Sequence, residues 1–169
     1  MKLILSVLTF VSILFGNDTC DVDSSILKII AEVERHNKRE IGYQYLISFN
    51  NKKDAKQIRK QLGKDIFIDS RTIDCLNKKL CKKITTFLIE QKITNLDLGA
   101  FQINYRFHKM KMEDYFIFEK SYFKACSLVS NLIKIYGYNW RTIARYHSAT
   151  PKYNYRYLKK ISMITKKGD

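Results

Sequence analysis

The stretch Asn95–His108 reads NLDLGAFQINYRFH. Leu96, Leu98, Phe101 and Ile103 give it an apolar character, yet Gly99, Gln102 and Asn104 interrupt it without a clean helical or strand period. Amides inside an apolar segment either satisfy nearby backbone groups or face a ligand. Which of the two applies depends on the rest of the chain.

At 169 residues the chain is long enough for one domain with a real core. A hydrophobic fraction of 46% argues for a folded globule rather than disorder. One Pro and six Gly argue against a loop-dominated or all-β chain. The plentiful Tyr and Phe suit both core packing and a groove on which sugars or bases stack. The N-terminus has one Lys followed by a mostly apolar run, Leu3 to Phe15, and then Gly16. This pattern predicts a secretory signal over residues 1–16 and export to the periplasm or beyond. The run is short for a membrane span. A cut after Gly16 would leave Leu14 at the −3 position, so an uncleaved anchor is the alternative.

Export changes how the four cysteines read. Cys20, Cys75, Cys81 and Cys126 are an even number, which in an exported chain predicts two disulfides with three possible connectivities. Cys75 and Cys81 are close enough in sequence to clip a local loop, which would leave Cys20 with Cys126. A zinc site is not expected, because there is no CxxC and the three His are scattered. The formal charge is +15, and loss of Lys2 with the signal leaves +14. For an exported chain, the acidic partners are membranes and cell-wall polymers. The basic residues form no single block, so charge alone does not choose between them and a merely solvated surface.

The pattern beyond the signal is mostly helical. Asp23, Ser24 and Ser25 are N-cap candidates for a helix through ILKIIAEVERHN. Strands are expected at Tyr43–Phe49 and at Asp65–Asp69, with a polar, Lys-rich segment between them. Residues 72–92 are expected to be helical. A strong helix is expected over 119–136, stopped by Gly137, and Asn139 would cap a short one from Trp140 to His147. Thr150 and Pro151 would open the last helix.

The first helix carries a carboxylate on its apolar face. At about 100° per residue, with Leu27 at zero, Ile26, Ile30 and Val33 fall near 260°, 300° and 240°. Glu32 falls near 140°, on the polar side and within reach of Lys28 and Arg35. Glu34 falls near 340°, between Ile30 and Leu27. A carboxyl desolvated there has a raised pKa and can donate a proton to a leaving oxygen. The bland reading is a buried Glu satisfied by a backbone amide or an Arg.

Three blocks form a family pattern. EVERHNKREIGYQYLISFN resembles the catalytic-Glu segment of the lysozyme-like lytic transglycosylases. NLDLGAFQINYRFH resembles their N-x-D-x-G-x-M-Q-I-N segment, and IYGYNWRTIARYHSATPKYNYRYLKKI their YG-x-NW helices. The blocks occur in family order over about half of the chain after the signal, closest to small members associated with secretion systems and invasion. The resemblance implies an α+β, mostly helical, lysozyme-like fold over residues 17–169 with a small β-rich insert. It implies cleavage of the bond between N-acetylmuramic acid and N-acetylglucosamine, with a 1,6-anhydro product and no metal or organic cofactor. Its partners would be peptidoglycan glycan strands and a secretion or flagellar apparatus, with no nucleic acid and membrane contact only through the signal. Small members also tie an N-terminal Cys to one in a later helix.

The family's roles fall on matching positions. Glu34 matches the general acid/base, Gln102 the cleft glutamine, and Asn104 the residue two positions on. Gly99 matches a glycine that lets backbone approach the sugar, and Tyr146 the cleft tyrosine. Asn95 and Asp97 open the middle motif, where a structural role is expected. The chain also departs from the pattern. Arg35 stands where Ser is usual, Lys38-Arg39 replaces an Asn-Pro turn, and Phe101 replaces Met. An insert of about 40 residues, containing Cys75 and Cys81, separates the first two blocks.

A second carboxylate is usual in glycosidases; Asp97 and Asp69 are candidates by residue type alone. Such a group beside Glu34 would favour hydrolysis, that is, a muramidase. An exposed or ion-paired Glu34 would favour a non-enzymatic adaptor. A nucleic-acid-binding module is disfavoured by the signal and by the lack of a recognised binding motif. Tyr153, Tyr155 and Tyr157 cannot share one helical face, so some of them must be core.

Overall fold

The computed structural model describes residues 19–166. The signal expected at 1–16 lies outside the described residues. The first helix, α1, spans Ser24–Glu34. Asp23 caps it by accepting the Ser25 amide at 2.8 Å. Ile26, Leu27, Ile30, Ala31 and Val33 are buried, as the periodicity predicts. The helix stops one residue after Val33 because Arg35 leaves helical geometry (φ −59°, ψ 133°). Glu34 is therefore its last residue.

A four-stranded antiparallel sheet follows, built from β1 (Leu46–Phe49), β2 (Thr72–Asp74), β3 (Leu96–Leu98) and β4 (Ile103–Asn104), in spatial order β2-β1-β3-β4. Ile47 lies opposite both Ile73 and Leu98, and Asp97 lies opposite Ser48 on one side and Asn104 on the other. Between β1 and β2 runs α2 (Lys52–Leu62), and between β2 and β3 runs α3 (Lys78–Glu90). The remaining elements are α4 (Phe118–Tyr136), the short α5 (Trp140–Ile143) with a 3-10 turn over Ala144–Tyr146, and α6 (Pro151–Thr165). Helix α1 packs on α6, and α4 packs on α5. This is an α+β architecture dominated by helices.

Several expectations are corrected. The small β part is present as this sheet, but the segment between β1 and β3 is mostly helical: its Lys-rich part forms α2, most of its second half forms α3, and β2 is its one strand. Asparagines cap both helices, with Asn51 accepting from Lys53 and Asn77 from Leu80. Asp65–Asp69 is not a strand. Phe67 makes a single bridge to Ile73, and Asp69 then bends the chain by accepting the amides of Arg71 and Thr72 at 2.7 and 2.6 Å. Residues 72–74, expected to be helical, form the strand β2 instead, because Thr72 and Ile73 complete the sheet against Ser48 and Ile47. The first expected strand is shorter and begins at Leu46.

Two disulfides form, Cys20–Cys126 and Cys75–Cys81. The first ties the segment ahead of α1 to the middle of α4 across 106 residues. The second joins the end of β2 to the first turn of α3. Both are consistent with export. Among the described residues, no helix is long and apolar enough to cross a membrane.

The loop after α1 is held by the segment between β1 and β3. Arg39 forms an ion pair with Asp74 of β2, and the Tyr43 hydroxyl donates to the same carboxylate at 2.8 Å. The Arg39 guanidinium also lies 4.9 Å from the centre of the Tyr43 ring. Asp74 is buried, so this charge needs those partners.

Candidate active site

Glu34 stands at the end of α1, where that helix meets α6 and the sheet. Its carboxyl is desolvated, and its pKa is pushed up to about 7. Burial is the main cause, and the negative charge of Asp97 adds to it. The Tyr157 hydroxyl and the Lys160 ammonium work the other way. Among the described residues, no ion pair engages it. Its neighbours on the polar face behave as ordinary surface groups. Glu32 and Arg35 form a two-point ion pair at 2.9 and 3.0 Å.

Three further groups lie near enough to couple with the charge of this carboxyl. Tyr157, on α6, is 2% exposed, and its hydroxyl is buried without a formed hydrogen bond. It lies close enough to Glu34 to lower that pKa, while its own is raised by burial and by the Glu34 charge. A neutral phenol beside a carboxyl can donate to it when it is ionised. Tyr146 follows α5 in the 3-10 turn, and burial together with the charges of Glu34 and Asp97 holds its hydroxyl protonated. That hydroxyl donates to the Phe101 carbonyl at 2.8 Å. It thereby ties the helical half to the loop between β3 and β4.

Asp97 is the third. It projects from β3, and its two oxygens accept from Asn104 at 2.7 Å and from Asn50 at 2.8 Å. Burial raises its pKa, and the two amide donors and the Arg71 charge oppose the rise. Asn104 also donates to the Asn95 side chain at 3.0 Å. The sheet register thus places an amide on each side of this carboxylate.

The middle motif also has a backbone function. Gly99 has a φ of +75°, and a Cβ built there would collide with the Tyr115 carbonyl oxygen. Tyr115 backbone fills the side where a side chain would go, so close packing within the protein accounts for the glycine. Gln102 has a φ of +45°, and its amide donates to the Gly99 carbonyl at 2.8 Å, closing the β3–β4 turn. Leu98, Phe101 and Ile103 are fully buried beneath it. Asp69, the other carboxylate considered by type, turns its own loop and accepts weakly from His36 at 3.4 Å. Burial opposes its charge, but the Arg71 and Thr72 amides outweigh burial and lower its pKa.

The structure thus brings Glu34, Tyr146 and the Asp97–Asn104 pair together, and it commits Gln102 and Gly99 to the turn beside them. Sequence reasoning missed Asn50 and Tyr157. Tyr157 carried a signal, because it shares one face of α6 with Asn154 and Ile161, all buried. Asn50 carried none, since only strand pairing brings it to Asp97. No family model, curated protein or solved structure matches the chain significantly.

Proposed function

We infer that the protein cleaves the glycan strands of peptidoglycan on a lysozyme-like scaffold, with Glu34 as the acid/base. One observation carries this reading: a desolvated carboxyl at a helix end with a pKa of about 7, with no ion-pair partner among the described residues and with the buried Tyr157 hydroxyl beside it. Such a group is protonated often enough near neutrality to donate, and ionised often enough to take a proton back.

In the reaction, Glu34 protonates the oxygen between N-acetylmuramic acid and N-acetylglucosamine. The bond to the muramyl C1 breaks with oxocarbenium character, and the substrate's acetamido group supports the cation. The carboxylate of Glu34 then takes the proton of the muramyl C6 hydroxyl, whose oxygen closes onto C1 as a 1,6-anhydro ring. The Tyr157 hydroxyl donates to Glu34 while it is ionised. The reaction needs no second carboxylate.

Asp97 favours a second reading. It lies close enough to Glu34 to raise its pKa, and two amides hold it in place. An ionised carboxylate there can stabilise the cation or attack C1, after which water completes hydrolysis. The products decide between the two. Purified peptidoglycan is digested with the oxidised protein, and the fragments are weighed by mass spectrometry. Ends bearing 1,6-anhydro rings establish the transglycosylase; reducing ends establish the muramidase. Glu34→Gln should lower either activity by ~10²-fold or more. Asp97→Asn should cost a similar factor only in the hydrolase. Intact glycan with both the wild type and Glu34→Gln would refute the enzyme reading.

A further inference from the structure

From Lys120 to Gly168 the chain holds eleven Lys and Arg and no Asp or Glu. This stretch covers α5, α6 and nearly all of α4, and its Lys134 reaches outside it, to Asp21 ahead of α1, for an ion pair at 3.9 Å. Its surface is also aromatic: Tyr136, Tyr138, Trp140, Tyr153 and Tyr155 are all exposed. Five exposed aromatics within twenty residues, interleaved with cations, single this stretch out, although Tyr153 and Tyr155, two residues apart on α6, point to different sides of it.

Within this stretch lies a pocket of about 350 Å³ lined by Arg141, Arg145, Ala149, Pro151, Asn154, Tyr155 and Leu158. Its construction is specific. The Arg145 guanidinium lies over the Tyr136 ring, 4.2 Å from its centre, a cation–π contact that restrains the side chain. The Asn154 amide donates to the carbonyls of Arg141 and Ser148 at 3.1 and 3.3 Å, fastening the pocket wall to α6. The opening residue of α6, Pro151, lines the same space, so the positive end of a fifteen-residue helix adds to the field. Among the described residues, neither Arg141 nor Arg145 pairs with a carboxylate.

Two guanidiniums with no such partner suit planar anions that accept two hydrogen bonds side by side. We propose that the Arg141–Arg145 pocket binds the carboxylates of the acidic peptide stems carried by the glycan, with Tyr155 packing on the peptide. This rests on the peptidoglycan reading above. It adds a selectivity: strands that keep their stems are held, and stripped strands are not. The pocket lies beside the 3-10 turn that carries Tyr146, so a stem anchored there would hold the strand near Glu34.

The test uses the full oxidised chain and needs no catalysis. The probe is alanyl-γ-glutamate with both carboxylates free, compared with its diamide. Binding is followed by the fluorescence of Trp140, the chain's single tryptophan, which precedes Arg141. The free acid should bind, and both amidation and R141Q/R145Q should weaken it about tenfold. R141K/R145K, which keeps charge but loses the planar fork, should fall between them. In cleavage assays, R141Q/R145Q should raise KM for stem-bearing strands, leaving kcat and stripped strands unchanged. Equal binding of acid and diamide, or no loss in R141Q/R145Q, overturns the proposal. So does a single-stranded oligonucleotide that needs both arginines while the peptide does not bind. If the peptide binds as expected but glycan stays intact, the function above fails and the pocket stands.

Discussion

At the scale of the residue, Glu34 sets the pH behaviour. Its carboxyl rises from an ordinary 4.5 to about 7 because the folded protein desolvates its charged form. The folded state therefore binds this proton more tightly than the unfolded chain does. The stability linked to it is fully present below about 4.5 and is lost as pH rises to about 7. Glu34→Gln removes the group, so the variant should gain about 1–3 kcal/mol over the wild type at pH 8 and little at pH 4.5. Urea unfolding at the two pH values measures this, and an equal gap at both would contradict it. Cleavage should also fall as pH climbs above 7, when the acid is ionised. Asp97 presents the opposite demand. Asp97→Asn would turn an amide donor toward Asn50 or Asn104, which already donate there. That mismatch should cost about 1–3 kcal/mol, read in the same experiment.

At the scale of the element, the β3–β4 turn joins the sheet to the helices. Gly99 accommodates the Tyr115 carbonyl, Gln102 closes the turn, and Phe101 offers its carbonyl to Tyr146. Gly99→Ala combines a left-handed backbone with a clash against rigid main chain. It should destabilise the protein by about 2–5 kcal/mol, measured as a lower denaturant midpoint. A variant as stable as the wild type would mean that the glycine serves an approaching substrate instead. The insert plays its part at this scale as well. Helices α2 and α3 flank β2, and β2 supplies the Asp74 carboxylate that anchors Arg39 in the loop after Glu34.

At the scale of the whole molecule, the Cys20–Cys126 bridge closes the longer of the two disulfide loops. It holds the segment entering α1 against α4, on which Val129 and Ala125 are buried. Cys20→Ser with Cys126→Ser should cost about 2–5 kcal/mol and lower Tm in the absence of reductant. Reduction of the wild type opens both bridges and should cost at least as much. The Cys75–Cys81 bridge closes only a short loop, so its removal should cost less. An equal or larger loss there would make the β2–α3 corner the more important constraint.

The helical frame was legible because its signals are local. The apolar face of α1, the stop at Gly137, the Asn139 cap and the Pro151 start each depend on a few neighbouring residues. The desolvation of Glu34 was legible for the same reason, since its position between Ile30 and Leu27 follows from helical period alone. The strands of the insert were not legible. Three-residue β2 exists because β1 offers it a partner, and Asp65–Asp69 lost strand geometry to an aspartate turn. The environment of the acid was hidden too. Asn50, Asp97 and Asn104 come together through sheet register, and Tyr157 reaches Glu34 only because α6 packs on α1. The sequence by itself determined most of the helical frame, α2 excepted, and the desolvated acid, because periodicity and capping act within a few residues. Only the tertiary structure decided which groups surround that acid, because pairing and packing join residues that the chain keeps far apart.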